Sequence, residues 1–407
     1  MTDAVRPTLP AWLAEQARRR PDVPALRSKR LGVWRSLRWD QVAALTQALA
    51  SGLRRNGFIE GDTLLLAAPP SERALLLSLA AQWCGGVAVP FEPGLSDEAL
   101  GRALAHLSPR FVFVDDDTTL DRSLAHGVRV IDGNPRGLRE HPDPAVIGIR
   151  ALEAADAVFS PVAQPDDTAF AFIDLRESGE IVIQQLTHAS LILDGQTVVR
   201  SEALEEVEDA FAARAFAASA QARYLLAPWL IAGFSLHFPE TLATRDNDRR
   251  EIAPTLVAGT RETYARVAAL VRERLPERGL VLRTLVDPTL LAAAKAVSAS
   301  AATAATRSLT QRIRRSLAWW LVFRPLREVI GFSRTRVALV AGEPLDEATG
   351  ALFAALRVDV HAWPDASEWR HVAERSPGRG WEPATAQQRA DRLHPAPSPI
   401  EYGRVPS

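Results

Sequence analysis

Apolar and polar positions change rhythm repeatedly along this chain. Residues 10–22 open with an amphipathic stretch that stops at Pro21, and Trp34 to Trp39 alternates apolar and polar side chains as a half-buried strand does. Asp40 offers a cap for a helix running through Leu53. The Gly61-Asp62 turn leads into the short apolar run Thr63-Leu64-Leu65-Leu66. A helix over 72–83, a strand at Val87-Ala88-Val89, a helix over 97–107 and the strand Phe111 to Val114 follow. The alternation restarts at Asp166. It predicts strands at 170–173 and 181–186, an Ala- and Glu-rich helix over 202–222, a strand at 254–257, a long helix to Leu275, a strand at 336–340 and a helix over 346–356. Strands alternating with helices define an α/β architecture with largely parallel sheets packed against helices. The expected division is a first α/β subdomain over 1–160, a second over 161–370, and a Pro-, Gly- and Arg-rich tail over 371–407 without hydrophobic period.

Composition narrows the picture. A chain of 407 residues exceeds the usual single-domain size. Its 48 basic and 49 acidic side chains nearly cancel, which removes the electrostatic case for nucleic acid as a partner. The single cysteine, Cys84, excludes an internal disulfide and has no neighbouring base, so it reads as a small buried hydrophobe. Met1 to Pro10 lacks the basic-then-apolar order of a secretory leader, which fits a cytoplasmic protein. The apolar run from Ala74 to Phe91 is interrupted by Gly85-Gly86 and Pro90, so it reads as a helix and a buried strand, with no transmembrane segment expected.

An ordered set of short segments carries a resemblance. Leu26-Arg27-Ser28-Lys29 with Gly32-Val33-Trp34, Gly57 to Asp62, Phe111 to Asp116, Asn134 to Arg139, Arg250 to Thr255, Phe323 to Arg327 and Ala341 to Leu345 together resemble AMP-forming acyl-CoA synthetases of the long-chain fatty acid type. The resemblance implies the large N-terminal domain of the adenylate-forming fold, built from two α/β subdomains. It also implies two-step chemistry, in which ATP and a carboxylate give an acyl-adenylate and coenzyme A then gives the thioester. The small C-terminal domain of that family has no counterpart here, nor has the stretch whose aspartate grips ribose.

The phosphate-gripping loop is where the chain departs. The family writes Tyr-Thr-Ser-Gly-Thr-Thr-Gly-x-Pro-Lys-Gly-Val and then x-Leu-Thr-His. Here Asp166 to Ala169 and Leu186-Thr187-His188 flank the same length of chain, but Ile173 to Gln184 stands between them. Gly179 survives, Ser178 stands in for a threonine, Arg176 replaces the first glycine and Val182 the lysine, and Asp174, Glu177 and Glu180 add carboxylates. Carboxylates repel a triphosphate, by about 1 kcal/mol per contact at ~4 Å in water and about 4 kcal/mol at a surface-like dielectric. Without glycine the backbone also approaches it less easily.

The resemblance further places a vestigial nucleotide site at Ser178, Gly179, Gly342, Glu343, Pro344 and Ser367, and a vestigial Mg²⁺ ligand at Glu368, while Pro364 stands where an adenine-stacking tyrosine is expected. The family's Pro-x-x-His segment corresponds to Leu226 to Trp229, shortened and without its histidine. His188 reads as a structural histidine capping the helix that follows it, and no residue is assigned as catalytic.

Three functions are consistent with these features: an inactive relative acting by binding or scaffolding, for which no cofactor is expected; a divergent long-chain fatty acid–CoA ligase using ATP and Mg²⁺; and an acyl-chain or membrane-surface binder. The partners implied are a fatty acyl chain or a protein. Arg312, Arg314, Arg315, Arg324 and Arg327 around Trp319-Trp320 fit either an interfacial helix making peripheral membrane contact or a core helix with a basic outer face.

Overall fold

The computed structural model describes residues 8–363 apart from 93, 134–140, 155–158, 177–179, 215, 275–285, 292–312 and 314–315. The tail over 371–407, and with it any test of its order, lies outside the described residues.

Two sheets of seven strands organise the chain. The first is built from β3 (Thr63–Ala67), β4 (Val87–Pro90), β5 (Phe111–Val114), β6 (Val130–Asp132), β7 (Val146–Gly148), β8 (Thr168–Leu175) and β9 (Ile181–Thr187), in the order β7-β6-β5-β3-β4-β8-β9. The second contains β1 (Pro24–Arg30), β2 (Val33–Arg38), β10 (Asp209–Phe211), β11 (Ser235–Phe238), β12 (Leu256–Thr260), β13 (Val337–Ala341) and β14 (Val360–Trp363), in the order β14-β13-β12-β10-β11-β1-β2. Each sheet is parallel except at one edge, where β9 and β2 run antiparallel to their hairpin partners. The hairpins cross the division expected at residue 160: β1-β2 joins the sheet of the second half, and β8-β9 completes the sheet of the first. Each sheet therefore needs strands from both halves of the sequence.

Period-two alternation decides which faces are covered. Leu64 and Leu66 of β3 and Phe111 and Phe113 of β5 point into the main core, while Leu65, Val112 and Val114 point to the opposite face. In the second sheet Val337 and Leu339 face the main core, and Ala338 and Val340 face away. The main core lies between the sheets and is filled by α1 (Leu9–Arg19), α2 (Trp39–Arg55), α3 (Glu72–Trp83), α7 (His188–Ser201) and α9 (Ala227–Ala232). α3 touches β3 and β4 of one sheet and β1 of the other. Ser71 caps α3 by accepting the Ala74 N–H. Trp39 and Trp229 stack there, ring centroids 4.9 Å apart. α4 (Asp97–Leu107) and α5 (Asp117–Ala125) cover the outer face of the first sheet. α11 (Arg261–Arg274), α12 (Arg324–Val329) and α13 (Glu347–Ala355) cover that of the second. The described residues also include α6 (Ile149–Glu153), α8 (Ser219–Gln221) and α10 (Arg245–Ile252), and π-helical turns at Ala222–Leu226 and Trp319–Phe323.

Three local expectations fail. The helix over 202–222 is absent: α7 ends at Ser201, and β10 occupies 209–211 because it pairs with both β11 and β12. Arg38, not Asp40, is the N-cap of α2, with Gln41 returning a side-chain bond to its N–H. Thr187, not His188, caps α7 by accepting the Ser190 N–H. His188 is fully buried instead, and its Nδ1 accepts the Leu9 N–H at 3.2 Å, tying the start of α1 to the start of α7. Burial drives its pKa down to about 3, so it is neutral. Cys84 is buried as expected, and desolvation pushes its thiol up to about 12.

Candidate functional site

In open α/β sheets the strand ends at the carboxyl edge leave crevices where ligands bind. Here β4, β8, β10 and β12 end at one such crevice, which has two chambers. The larger, about 510 Å³, is bounded by Phe211, Leu242, Val257 and Phe332, by Thr260 and Thr263, and by Arg214, Arg245, Arg249 and Arg266. The smaller, about 340 Å³, lies among Pro90, Phe91, Phe172, Ile173, Asp174 and Gln184. Ala217 and Ala218 border both chambers. Arg214 from the larger reaches Glu92 of the smaller at 3.1 Å.

The arginines come from three elements. Arg245 and Arg249 stand one turn apart on α10, and Arg266 lies on α11. Arg249 is buried; its Nε donates to the Ile330 carbonyl at 2.8 Å, and a second nitrogen lies 2.9 Å from Asp246. Burial lowers its pKa to about 10, so it still carries its charge at neutral pH. Arg266 reaches the other oxygen of Asp246 at 2.5 Å. One carboxylate thus serves two guanidinium groups, and Arg245 donates to the carbonyl oxygen of Leu242. Glu262 also lines the chamber and Arg214 is paired with Glu92, so guanidinium groups outnumber carboxylates around the apolar floor by a small margin. That combination suits an anionic group attached to an apolar body.

Of the sequence-expected nucleotide site, Gly342, Glu343 and Pro344 fall among the described residues. Ser178, Gly179, Ser367, Glu368 and Pro364 lie outside the described residues. Gly342, in the left-handed region at φ 85°, follows β13 and donates its N–H to the Trp363 carbonyl at 2.8 Å. Glu343 is exposed and paired with Arg261 at 2.6 Å, and Pro344 beside it is exposed. None of these three lines either chamber. Among the described residues no cluster of three metal-ligating side chains occurs.

On either side of residues 177–179, which lie outside the described residues, the rewritten loop is paired strand. Asp174 pairs with Val182 and Leu175 with Ile181, and the Arg176 N–H donates to the Glu180 carbonyl at 3.0 Å. Arg176 lies 3.7 Å from Asp174 and 3.4 Å from Glu180. Leu226 to Trp229, expected to stand for the family's Pro-x-x-His, is buried in the main core. The residues bordering the crevice are instead Ala213, Arg214, Ala217, Ala218 and Ser219. The arginines were missed because a run such as Arg245-Asp246-Asn247-Asp248-Arg249-Arg250 reads as a solvated face; the i, i+4 spacing of Arg245 and Arg249 was the available signal.

This arrangement of sheets, helices and crevice is the N-terminal domain fold of adenylate-forming enzymes. It superposes on the N-terminal subdomain of Klebsiella oxytoca NpsA in complex with 3-hydroxybenzoyl-AMSN, with a TM-score of 0.60 and 16% identity over 89% of this chain and 73% of that one. It also superposes on a benzoate CoA ligase from Burkholderia xenovorans LB400, with a TM-score of 0.62 and 16% identity over 89% of this chain and 61% of that one. Residues 13–172, under half of the chain, match the AMP-binding enzyme family. In sequence the chain is similar to Enterobactin synthase component F of Escherichia coli K12, 36% identical over 111 residues, and to 2-succinylbenzoate–CoA ligase of the same organism, 30% identical over 98 residues. Those matches span 27% and 24% of this chain but only 8% and 22% of the relatives. They do not narrow the placement to the long-chain fatty acid group.

Proposed function

We propose that this chain is a non-catalytic relative of the AMP-forming ligases that holds a carboxylic acid with an apolar body, such as a fatty acyl chain, in the crevice between its sheets. One observation carries the reading. The segment aligned with the phosphate-gripping loop is laddered strand up to Leu175 and Ile181, with a valine at the lysine position. The N–H groups that point across this hairpin are already spent on strand partners and do not turn toward phosphate. The crevice, by contrast, keeps volume, apolar lining and guanidinium groups. Binding or scaffolding needs only these, and no cofactor enters this reading.

A second reading, a divergent ligase using ATP and Mg²⁺, is favoured by the match over residues 13–172 and by the retained Gly342 turn. Two measurements separate the readings. Thermal unfolding is followed with dodecanoate, with benzoate, and with ATP and Mg²⁺. A ligand held at a hundred times its dissociation constant stabilises by about 2.7 kcal/mol, enough to read as a shift. The expected result is a shift with acid and none with nucleotide. Fatty-acid-dependent exchange of labelled pyrophosphate into ATP would replace the first reading with the second.

A further inference from the structure

Most polar side chains around the larger chamber already have partners. The Thr260 and Thr263 hydroxyls meet at 3.4 Å, and Glu262 accepts a hydrogen bond from Thr260. Arg249 and Arg266 share Asp246, and Arg214 reaches Glu92. Among the described residues of the chamber, Arg245 and Gln221 stand apart. Arg245 donates to the Leu242 carbonyl, but no described carboxylate forms an ion pair with it. Burial lowers its pKa, the neighbouring Arg266 charge lowers it further, and Asp246 offsets only part of this. Gln221, at the end of α8, lines the same chamber at 6% exposure, and no described group donates to its Oε1.

A buried amide oxygen without a donor costs folding free energy, and a protein keeps such a group where something else meets it. A guanidinium held among like charges favours an incoming anion. The two side chains thus ask for opposite things of one ligand: a negative charge at Arg245 and a hydrogen-bond donor at Gln221.

We infer that the ligand of this chamber is a hydroxy acid, its carboxylate held by Arg245 and a hydroxyl on its apolar body donating to Gln221 Oε1. The donor is neutral rather than an ammonium, because Arg214, Arg245, Arg249 and Arg266 line the same space and repel a further cation. An acid without the hydroxyl leaves Oε1 unpaired, so a site of this kind discriminates against it. The apolar lining, with Phe211, Leu242, Val257 and Phe332, receives the rest of the body. The inference rests on the crevice reading proposed above and narrows its ligand.

The test is titration calorimetry of the full chain with matched acids. Benzoate is compared with its ortho, meta and para hydroxy isomers, and dodecanoate with its β-hydroxy, ω-hydroxy and ω-amino counterparts. At least one hydroxy acid is expected to bind about tenfold tighter than the acid without the hydroxyl, the worth of one buried hydrogen bond. Gln221→Leu is expected to weaken that hydroxy acid about tenfold and to leave the plain acid within about twofold. Because it removes an unpaired polar group, the variant is expected to melt no lower than the unaltered protein. Arg245→Met is expected to weaken both acids alike. The matched comparison on the unaltered protein decides even where a variant does not fold. Acids that bind and respond to Arg245→Met, without any gain from a hydroxyl, overturn this inference and leave the crevice reading standing. No binding by any acid overturns both. A hydroxyl gain that Gln221→Leu leaves intact, or that the ω-amino acid matches, also overturns the inference.

Discussion

The backbone N–H of Arg176 donates to the carbonyl of Glu180 at 3.0 Å, closing the hairpin where a nucleotide-gripping loop is expected. Around it Asp174 and Glu180 neutralise the one guanidinium. Val182 pairs with Asp174 across the ladder. A lysine at that position meets carboxylates before it meets phosphate. Val182→Lys is therefore expected to leave pyrophosphate exchange at the level of a boiled control. Removing one oriented donor commonly costs ~3–4 kcal/mol in such chemistry, and here the lysine is one of several missing groups. Exchange restored by this single change would show that the ladder opens to admit nucleotide.

Gly52 fixes how closely α2 approaches α6. A Cβ there would stand 2.5 Å from the Leu152 carbonyl oxygen and 2.6 Å from its Cα, both backbone atoms. Alanine gains about 1 kcal/mol of helix propensity over glycine. Overpacking against a backbone that must move costs roughly 1–3 kcal/mol. Gly52→Ala is expected to lower stability in urea melts. Gly101→Ala is the control, since its Cβ would meet the exposed His126 side chain at 2.8 Å, which can swing away. Equal stabilisation by both changes would mean that α6 yields freely.

Much of this architecture is legible along the chain, because β3 and β5 carry their own alternation and α3 its own cap. The helix expected over 202–222 is the instructive failure. Alanine and glutamate favour helix locally, but Asp209 to Phe211 is strand because β11 and β12, remote in sequence, flank it on both sides. No local signal tells that Leu26 pairs beside Leu236, or that Ala88 pairs beside Phe170, so the strand exchange between halves is invisible in sequence. The crevice was hidden for the same reason. Arg245, Arg249 and Arg266 become one wall only when α10 and α11 fold around β12.

The end of α7 and strand β14 are joined by an acid–histidine contact. His361 Nδ1 lies 2.6 Å from Glu202, whose other oxygen accepts the Trp363 indole N–H at 2.8 Å. The hydrogen bond to Glu202, with Asp359 adding to it, raises the pKa of His361. A histidine whose folded pKa is raised contributes stability that is complete below its unfolded value, about 6.5, and is lost as pH rises through the folded value. Glu202→Gln is expected to return the His361 titration, followed by NMR, toward the ordinary range, and to speed amide exchange across 360–363. A titration that does not move would detach His361 from Glu202.

The strongest stability contrast is expected at Arg223 and Asp194. Their side chains are 3% and 4% exposed and meet at 2.8 Å, joining α7 to the turn that precedes α9. Desolvation raises the Asp194 pKa to about 6 against the pull of Arg223, so the carboxylate is ionised at neutral pH because its partner is present. Arg223→Met leaves that charge buried and alone, a loss of roughly 3–5 kcal/mol for a buried pair. Asp194→Leu with Arg223→Met removes both charges and is expected to recover most of that loss, because an apolar pair needs no desolvation. The sign with pH follows from the same group. A carboxylate whose folded pKa lies above its unfolded value of about 3.9 binds its proton more readily in the folded state, so it favours folding at low pH and loses that contribution as pH rises through the folded value. Without Arg223 the folded pKa climbs further. The deficit of Arg223→Met, measured by urea unfolding, should therefore be smaller at pH 5 than at pH 8, while the double variant has no Asp194 to titrate, so its deficit should instead shrink from pH 5 to pH 8 as the parent loses the Asp194 contribution. A deficit equal at both values would mean that lost packing of the arginine stem, not the stranded charge, sets the cost.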